Sequence, residues 1–299
     1  VGAILLWRGT DSGGNESLPV RLASPPSPQL DRAARPPATP FADAVAALVQ
    51  AEGLLTVTVH VCLADRRRAK LPPGLGDGED PSRNLWWGAR HGVETHLART
   101  PGWSRVHVDS GGGSGAVRRV VFHRRVDPGI AWQARGVSRL FDLFLMAAAW
   151  PAGRIHEAAR QPLRDALCDD PAALTIGDRL LWFGAGSVMT GYLGQSPMDR
   201  VFQDPFAGLA ISPRDRQMGV FYICPLSAVH FHASSVEHGL YPVLFVRHSV
   251  VPEAYCLEGV LSALAAGDLE GGFIAAAAER YSRFQKGVSP ARAAAMFFR

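Results

Sequence analysis

Residues 54–63 read Leu54-Leu55-Thr56-Val57-Thr58-Val59-His60-Val61-Cys62-Leu63. The run is β-branched, alternates with a period of two, and stops at Ala64-Asp65. That is the signature of a strand. Working outward, the pattern predicts further strands at Arg105–Val108, Val117–Val126, Asp178–Phe183, Met218–Cys224 and Tyr241–Val246. Helices are expected at Phe41–Glu52, Asn84–Leu97 (with Asn84 as cap), Ala152–Leu167, Pro252–Ala266, Gly271–Lys286 and Pro290–Phe298. Pro252 and Pro290 fall where a first helical turn tolerates proline. Arg139–Trp150 is apolar throughout, and periodicity leaves strand and buried helix both open there.

Buried strands that alternate with helices require crossovers. The expected fold class is therefore α/β, a mostly parallel sheet with helices on both faces in three α/β/α layers. One domain is expected over residues 41–299. Residues 1–40 hold Pro25-Pro26, Pro36-Pro37 and Pro40 among Ser, Gly and Arg, and read as a disordered tail. In parallel sheets functional residues gather beyond the carboxyl ends of the strands. Those ends are expected around Asp65, Gly184–Ser187, Cys224–Ser227 and Arg247–Ser249.

The composition, 47% apolar and 19% charged, supports a large core without disulfides. Cys62, Cys168, Cys224 and Cys256 form no CxxC pair, so they are read as independent thiols. Independent thiols favour a reducing, cytoplasmic compartment, or simply burial. Secretion stays open because Val1–Trp7 is apolar and the chain begins without Met. No membrane span is expected. The net charge of +4 is carried by arginine, and its sharpest run is Arg66-Arg67-Arg68-Ala69-Lys70. No aromatic stacking pattern accompanies that run, so a solvated loop is expected in place of a nucleic-acid partner. His230, His232, His238 and His248 fit no zinc spacing, and neither metal nor cofactor is expected.

Two expected strand ends carry chemistry. One is Trp182-Phe183-Gly184-Ala185-Gly186-Ser187, the other Tyr222-Ile223-Cys224-Pro225-Leu226-Ser227. A strand-tip thiol beside a glycine-flanked turn suits a nucleophile. It needs a thiolate, a neighbouring base, and backbone N–H groups for an oxyanion. Cys224 is the candidate nucleophile. Asp65, Gly184, Gly186, Ser187 and Ser227 are candidate binding residues, with capping of the strand–loop junction as the alternative role of Asp65 and local turn bonding as that of both serines.

From Val57 to Phe297 the chain resembles uncharacterised bacterial relatives of the caspase and legumain cysteine peptidases. The resemblance rests on Gly76-Asp77-Gly78-Glu79-Asp80-Pro81-Ser82-Arg83-Asn84-Leu85-Trp86-Trp87-Gly88, on Pro252-Glu253-Ala254-Tyr255-Cys256-Leu257, and on Tyr281-Ser282-Arg283-Phe284-Gln285-Lys286. It implies a caspase-like fold, a strand ending Gly-His-x-Gly and a strand ending Ala-Cys-Lys-Ser. On this reading Ala185 occupies the histidine position, Pro225 removes an N–H beside the thiol, and Ala147-Ala148-Ala149 stands where an acidic residue is expected. The expectation is an inactive homologue with a binding or scaffold role, taking a peptide or protein ligand. An active thiol hydrolase using Cys224 with a relocated base, such as His230 or His232, is the alternative.

Overall fold

The computed structural model describes residues 38–66, 76–110, 115–198 and 204–299. The expected tail and most of the Arg66–Lys70 run lie outside them. The chain divides into two units, Val1–Pro36 and Pro37–Arg299, and the second is the one described here.

In chain order its elements are α1 (Phe41–Glu52), β1 (Leu54–Cys62), α2 (Val93–Arg99), β2 (Ser104–Asp109), β3 (Arg118–Val126), α3 (Ile130–Gln133), β4 (Phe141–Trp150), α4 (Ile155–Leu167), β5 (Pro171–Ile176), β6 (Arg179–Gly184), β7 (Met189–Leu193), β8 (Gly219–Ile223), α5 (Ala233–Glu237), β9 (Tyr241–Val246), α6 (Ala254–Ala266), α7 (Gly272–Phe284), α8 (Pro290–Met296) and β10 (Phe297–Phe298). Eight strands make one sheet in the order β10-β9-β8-β7-β1-β4-β3-β2, while β5 and β6 form a separate hairpin. Strands β4, β1, β7, β8 and β9 run parallel. Strands β10, β3 and β2 are antiparallel additions at the two edges. The α/β class expected from the sequence is the class observed.

Alternation along β1 explains the layers. Val57, Val59 and Val61 face a core completed by α1, α6, α7 and α8. Cys62 faces the other way, into a core closed by Ile155, Ala158, Ala159 and Leu163 of α4. The hairpin lays Leu181 and Phe183 on Val121, Phe144 and Met146. Arg139–Trp150 resolves as a strand, all ten residues of β4 being buried. A ten-residue strand buried on both faces carries no period to read.

Two expectations are corrected and one strand is added. Asp178–Phe183 is a strand, but of the hairpin, antiparallel to Pro171–Ile176. Met189–Leu193 is the central strand that pairs with both β1 and β8. Asn84 starts no long helix, since the helix there is only Val93–Arg99. Instead Asn84 is fully buried. Its amide accepts from the Ala64 N–H at 3.0 Å and donates to the carbonyls of Ala64 (3.0 Å) and Asp77 (2.8 Å). That pins the loop after β1 to the strand end.

Candidate functional site

The register of β7 against β8 pairs Met189 with Gly219 and Leu193 with Ile223. Ala185 precedes β7, and so lies at the amino rim of the sheet. Cys224 follows β8, at the carboxyl rim. Five strand residues, roughly 17 Å, separate the two rims. The expected meeting of Ala185 and Cys224 in one crevice is therefore overturned.

The Gly184–Ser187 segment is a structural joint. Arg214 donates through Nη1 to the Ala185 carbonyl (2.9 Å), and through Nη2 to the carbonyls of Asp165 (3.0 Å) and Cys168 (2.7 Å) at the end of α4. Arg216 reaches the Gly186 carbonyl at 3.3 Å. The Gly184 N–H donates to Thr58 Oγ1 (2.9 Å), which also meets Ser187 Oγ (2.9 Å). Gly184 has φ +59, and a Cβ there would lie 3.2 Å from Asp165 Oδ1. Ser187 is fully buried, so neither it nor Ala185 is presented to a ligand.

The carboxyl rim is different. From β1 the chain crosses to β4 on one side and returns to β7 on the other, which makes the β1–β7 boundary the topological switch point. Open α/β sheets place their ligand crevice there. The tips that converge are Asp65 after β1, Gly194-Gln195 after β7 and Cys224-Pro225 after β8. Gln195 Nε2 lies 3.5 Å from the Asp65 carbonyl, and its own carbonyl accepts from Tyr192 Oη (2.9 Å). The Gly194 N–H donates to the Ile223 carbonyl (3.3 Å), joining the two tips.

Cys224 is fully buried in the core beneath α4, with Tyr192, Tyr222 and Phe231. Burial pushes its thiol well above the ordinary range, and hydrogen bonding with Ser227 lowers it only in part. Ser227 has its own structural work. Its hydroxyl donates to the Tyr222 carbonyl and accepts from the Val246 N–H, both at 2.8 Å, and so bolts β8 to β9. Between them Leu226 holds φ +61 and is 44% exposed.

The histidines follow other paths. His232 packs edge-on against Phe245 and Phe298, and His238 stacks on Phe206. His60 does meet a carboxylate, Asp165 Oδ2 at 2.8 Å, but both are buried. Trp150 Nε1 donates to His60 Nδ1 and Thr190 Oγ1 donates to Asp165 Oδ2, closing the pair inside the core. Among the described residues no group of three or more His, Cys, Asp or Glu could hold a metal ion.

A concavity of about 390 Å³ opens on the same rim, lined among others by Asp80, Pro81, Ser82, Glu94, Val117 and Arg118. Arg118 sits opposite Ala149, one residue short of the β4 tip. Counting strands, β4 stands roughly 14 Å from β8. Glu94 is saturated. It accepts from Arg118 Nε and Nη2 (both 2.7 Å), Arg105 Nη1 (2.8 Å) and Trp87 Nε1 (2.7 Å). Burial raises the Glu94 carboxyl, yet Arg118 and Trp87 outweigh it and hold it below the ordinary range.

No family model, curated protein or solved structure matches this chain. The site therefore rests on its own geometry.

Gln195 is the residue the sequence reading missed. Its signal was Met189-Thr190-Gly191-Tyr192-Leu193, a short apolar run closed by Gly194. The run was obscured because Gly191 looks like a strand breaker. In the fold that glycine is required: a Cβ there would lie 2.2 Å from the Phe221 ring.

Proposed function

We propose that residues 41–299 are a caspase-like domain that has lost peptidase chemistry and keeps a role in binding a peptide or protein. The resemblance calls for a thiol tip and a histidine tip on neighbouring strands. The strand beside the thiol strand is β7, and its tip reads Gly194-Gln195. Gln195 thus takes the place the sequence reading gave to Ala185. A carboxamide has no basic nitrogen and cannot accept the thiol proton near neutral pH. Pro225 brings no N–H to an oxyanion.

The observation that carries the reading is the burial of Cys224. A thiol with no exposed surface and a raised pKa stays protonated at neutral pH, and the thiol is a poor nucleophile. Cys168 is only part-buried and serves as an internal control. Alkylation by iodoacetamide, followed by peptide mass spectrometry across a pH series, should label Cys168 readily and leave Cys224 unlabelled near pH 7. Gln195→His should not restore turnover of a fluorogenic peptide library, because the thiol remains enclosed. Rapid labelling of Cys224 near neutral pH, or peptide turnover abolished by Cys224→Ser, would establish the active thiol hydrolase instead.

A further inference from the structure

We infer that the cavity beside Asp80 and Arg118 binds a small zwitterion, a free amino acid or short peptide that carries both an α-ammonium and an α-carboxylate. The site goes beyond the proposed loss of peptidase chemistry and does not depend on it.

One wall of the cavity is Asp80, Pro81, Ser82 and Gly88 of the loop Gly76–Gly88, and the fold ties that loop down at several points. Asn84 ties it to Ala64 and Asp77. The Ala152 N–H donates to the Gly78 carbonyl at 2.9 Å. Two glycines have no room for a side chain: a Cβ at Gly78 would lie 2.6 Å from Ala152 Cβ, and one at Gly88 would lie 2.4 Å from the Ser82 carbonyl oxygen. A loop closed this tightly around an open space has already met the ordering cost of binding. The position also fits, since ligand sites in open α/β sheets lie outside the carboxyl ends of the strands.

Charge selects the ligand. Arg118 lines the cavity and shares the carboxylate of Glu94 with Arg105, which stands behind that carboxylate outside the lining, so Glu94 does not neutralise the pair. Asp80 lines the same cavity as a carboxylate held below its ordinary range by hydrogen bonds from Ser82 and, to a smaller extent, by the charge of Arg83, which is not among the lining residues. A simple anion would suit Arg118 and meet Asp80; a simple cation would suit Asp80 and meet Arg118. A ligand with both charges satisfies both. Pro81 and Val117 supply apolar wall for a small side chain. At roughly 30 Å³ per water the space holds about a dozen waters, enough for an amino acid or a dipeptide.

The test is calorimetric titration of the full chain with Ala-Ala, alongside N-acetyl-Ala-Ala and Ala-Ala-amide. Saturable binding of Ala-Ala is expected, weakened at least about tenfold by blocking either end. Asp80→Asn keeps a competent cap for the Pro81–Arg83 turn, so the loop should persist. It should abolish the penalty for acetylating the amine while leaving the penalty for amidation. Cys224→Ser should bind as the parent does, which separates this site from the thiol tip. Equal binding of the blocked peptides, unchanged discrimination in Asp80→Asn, or no binding of glycine, Ala-Ala or tri-alanine up to about 10 mM would overturn the proposal.

Discussion

The two turns that bracket β7 contain the same kind of residues and are built in opposite ways. Before the strand, Gly184-Ala185-Gly186-Ser187 is locked: two arginines take its carbonyls, Thr58 takes its N–H, and its serine is buried. After it, Gly194-Gln195 is held by a 3.3 Å backbone bond to Ile223 and a 3.5 Å contact to Asp65, among tips that leave Leu226 strained and exposed. Glycine flanks therefore do not distinguish a joint from a site. What distinguishes them is how many side chains have claimed the backbone groups: Arg214, Arg216 and Thr58 at the first turn, Tyr192 at the second.

The largest effect should come from breaking the joint. Arg214→Met leaves the carbonyls of Ala185, Asp165 and Cys168 without their donor. Unsatisfied buried acceptors cost about 1–3 kcal/mol each before water re-enters, so a loss of about 3–4 kcal/mol is expected. Urea unfolding measures it, and a loss under about 1 kcal/mol would show that the joint is not held this way. Gly191→Ala comes next. Its methyl would collide with Phe221, and overpacking of this kind costs about 1–3 kcal/mol. A variant as stable as the parent would place β7 elsewhere in the sheet.

How much of this was readable beforehand follows from where each signal resides. Strands β1, β8 and β9 carry their own pattern, and they were legible because local composition and global burial agree. Strand β6 misled because Leu180 and Trp182 are apolar yet 54% and 46% exposed, so the segment looked buried on both faces. Strand β7 was hidden by Gly191 and by Thr190, whose hydroxyl serves Asp165, 25 residues away. At the site, Cys224 was legible as a strand tip. Its enclosure was not, because α4 and Tyr192 supply it from distant sequence. The Gly76–Gly88 motif was legible as a motif only, since Arg118, the guanidinium that lines its cavity, comes from β3.

A third test separates the hairpin from the joint it leads into. Burial draws the Asp142 carboxyl upward, but His123, Arg179 and Arg125 outweigh it and hold it at about 2, below its ordinary 3.8. Arg179 belongs to β6, so this carboxylate fastens the hairpin to β4. A depressed folded-state pKa gives stability that is complete above the unfolded value and lost as pH falls through the folded one. The loss should therefore run from about pH 5 down to about pH 2, and amount to about 1–2 kcal/mol after screening at the half-exposed Arg125 and Arg179. Asp142→Asn should flatten that part of the stability–pH curve. If it leaves the curve unchanged, the hairpin is held by its apolar face and its hydrogen bonds to β1 without help from this carboxylate.

The smallest effect probes the open rim, and its sign matters more than its size. At an ordinary position, alanine is more stabilising than glycine by roughly 0.5–1 kcal/mol, because glycine loses more freedom on folding. Leu226 holds φ +61, where any Cβ costs about 1 kcal/mol or more. Leu226→Ala loses what packing the half-exposed side chain has and keeps the strain. Leu226→Gly loses the same packing and releases the strain. Glycine should therefore be the more stable of the two by about 0.5–1 kcal/mol, the reverse of the usual order. Parallel urea curves for the two variants decide it. Should alanine prove the better residue, the backbone after Cys224 is relaxed, and the carboxyl rim is as settled a joint as the one before β7.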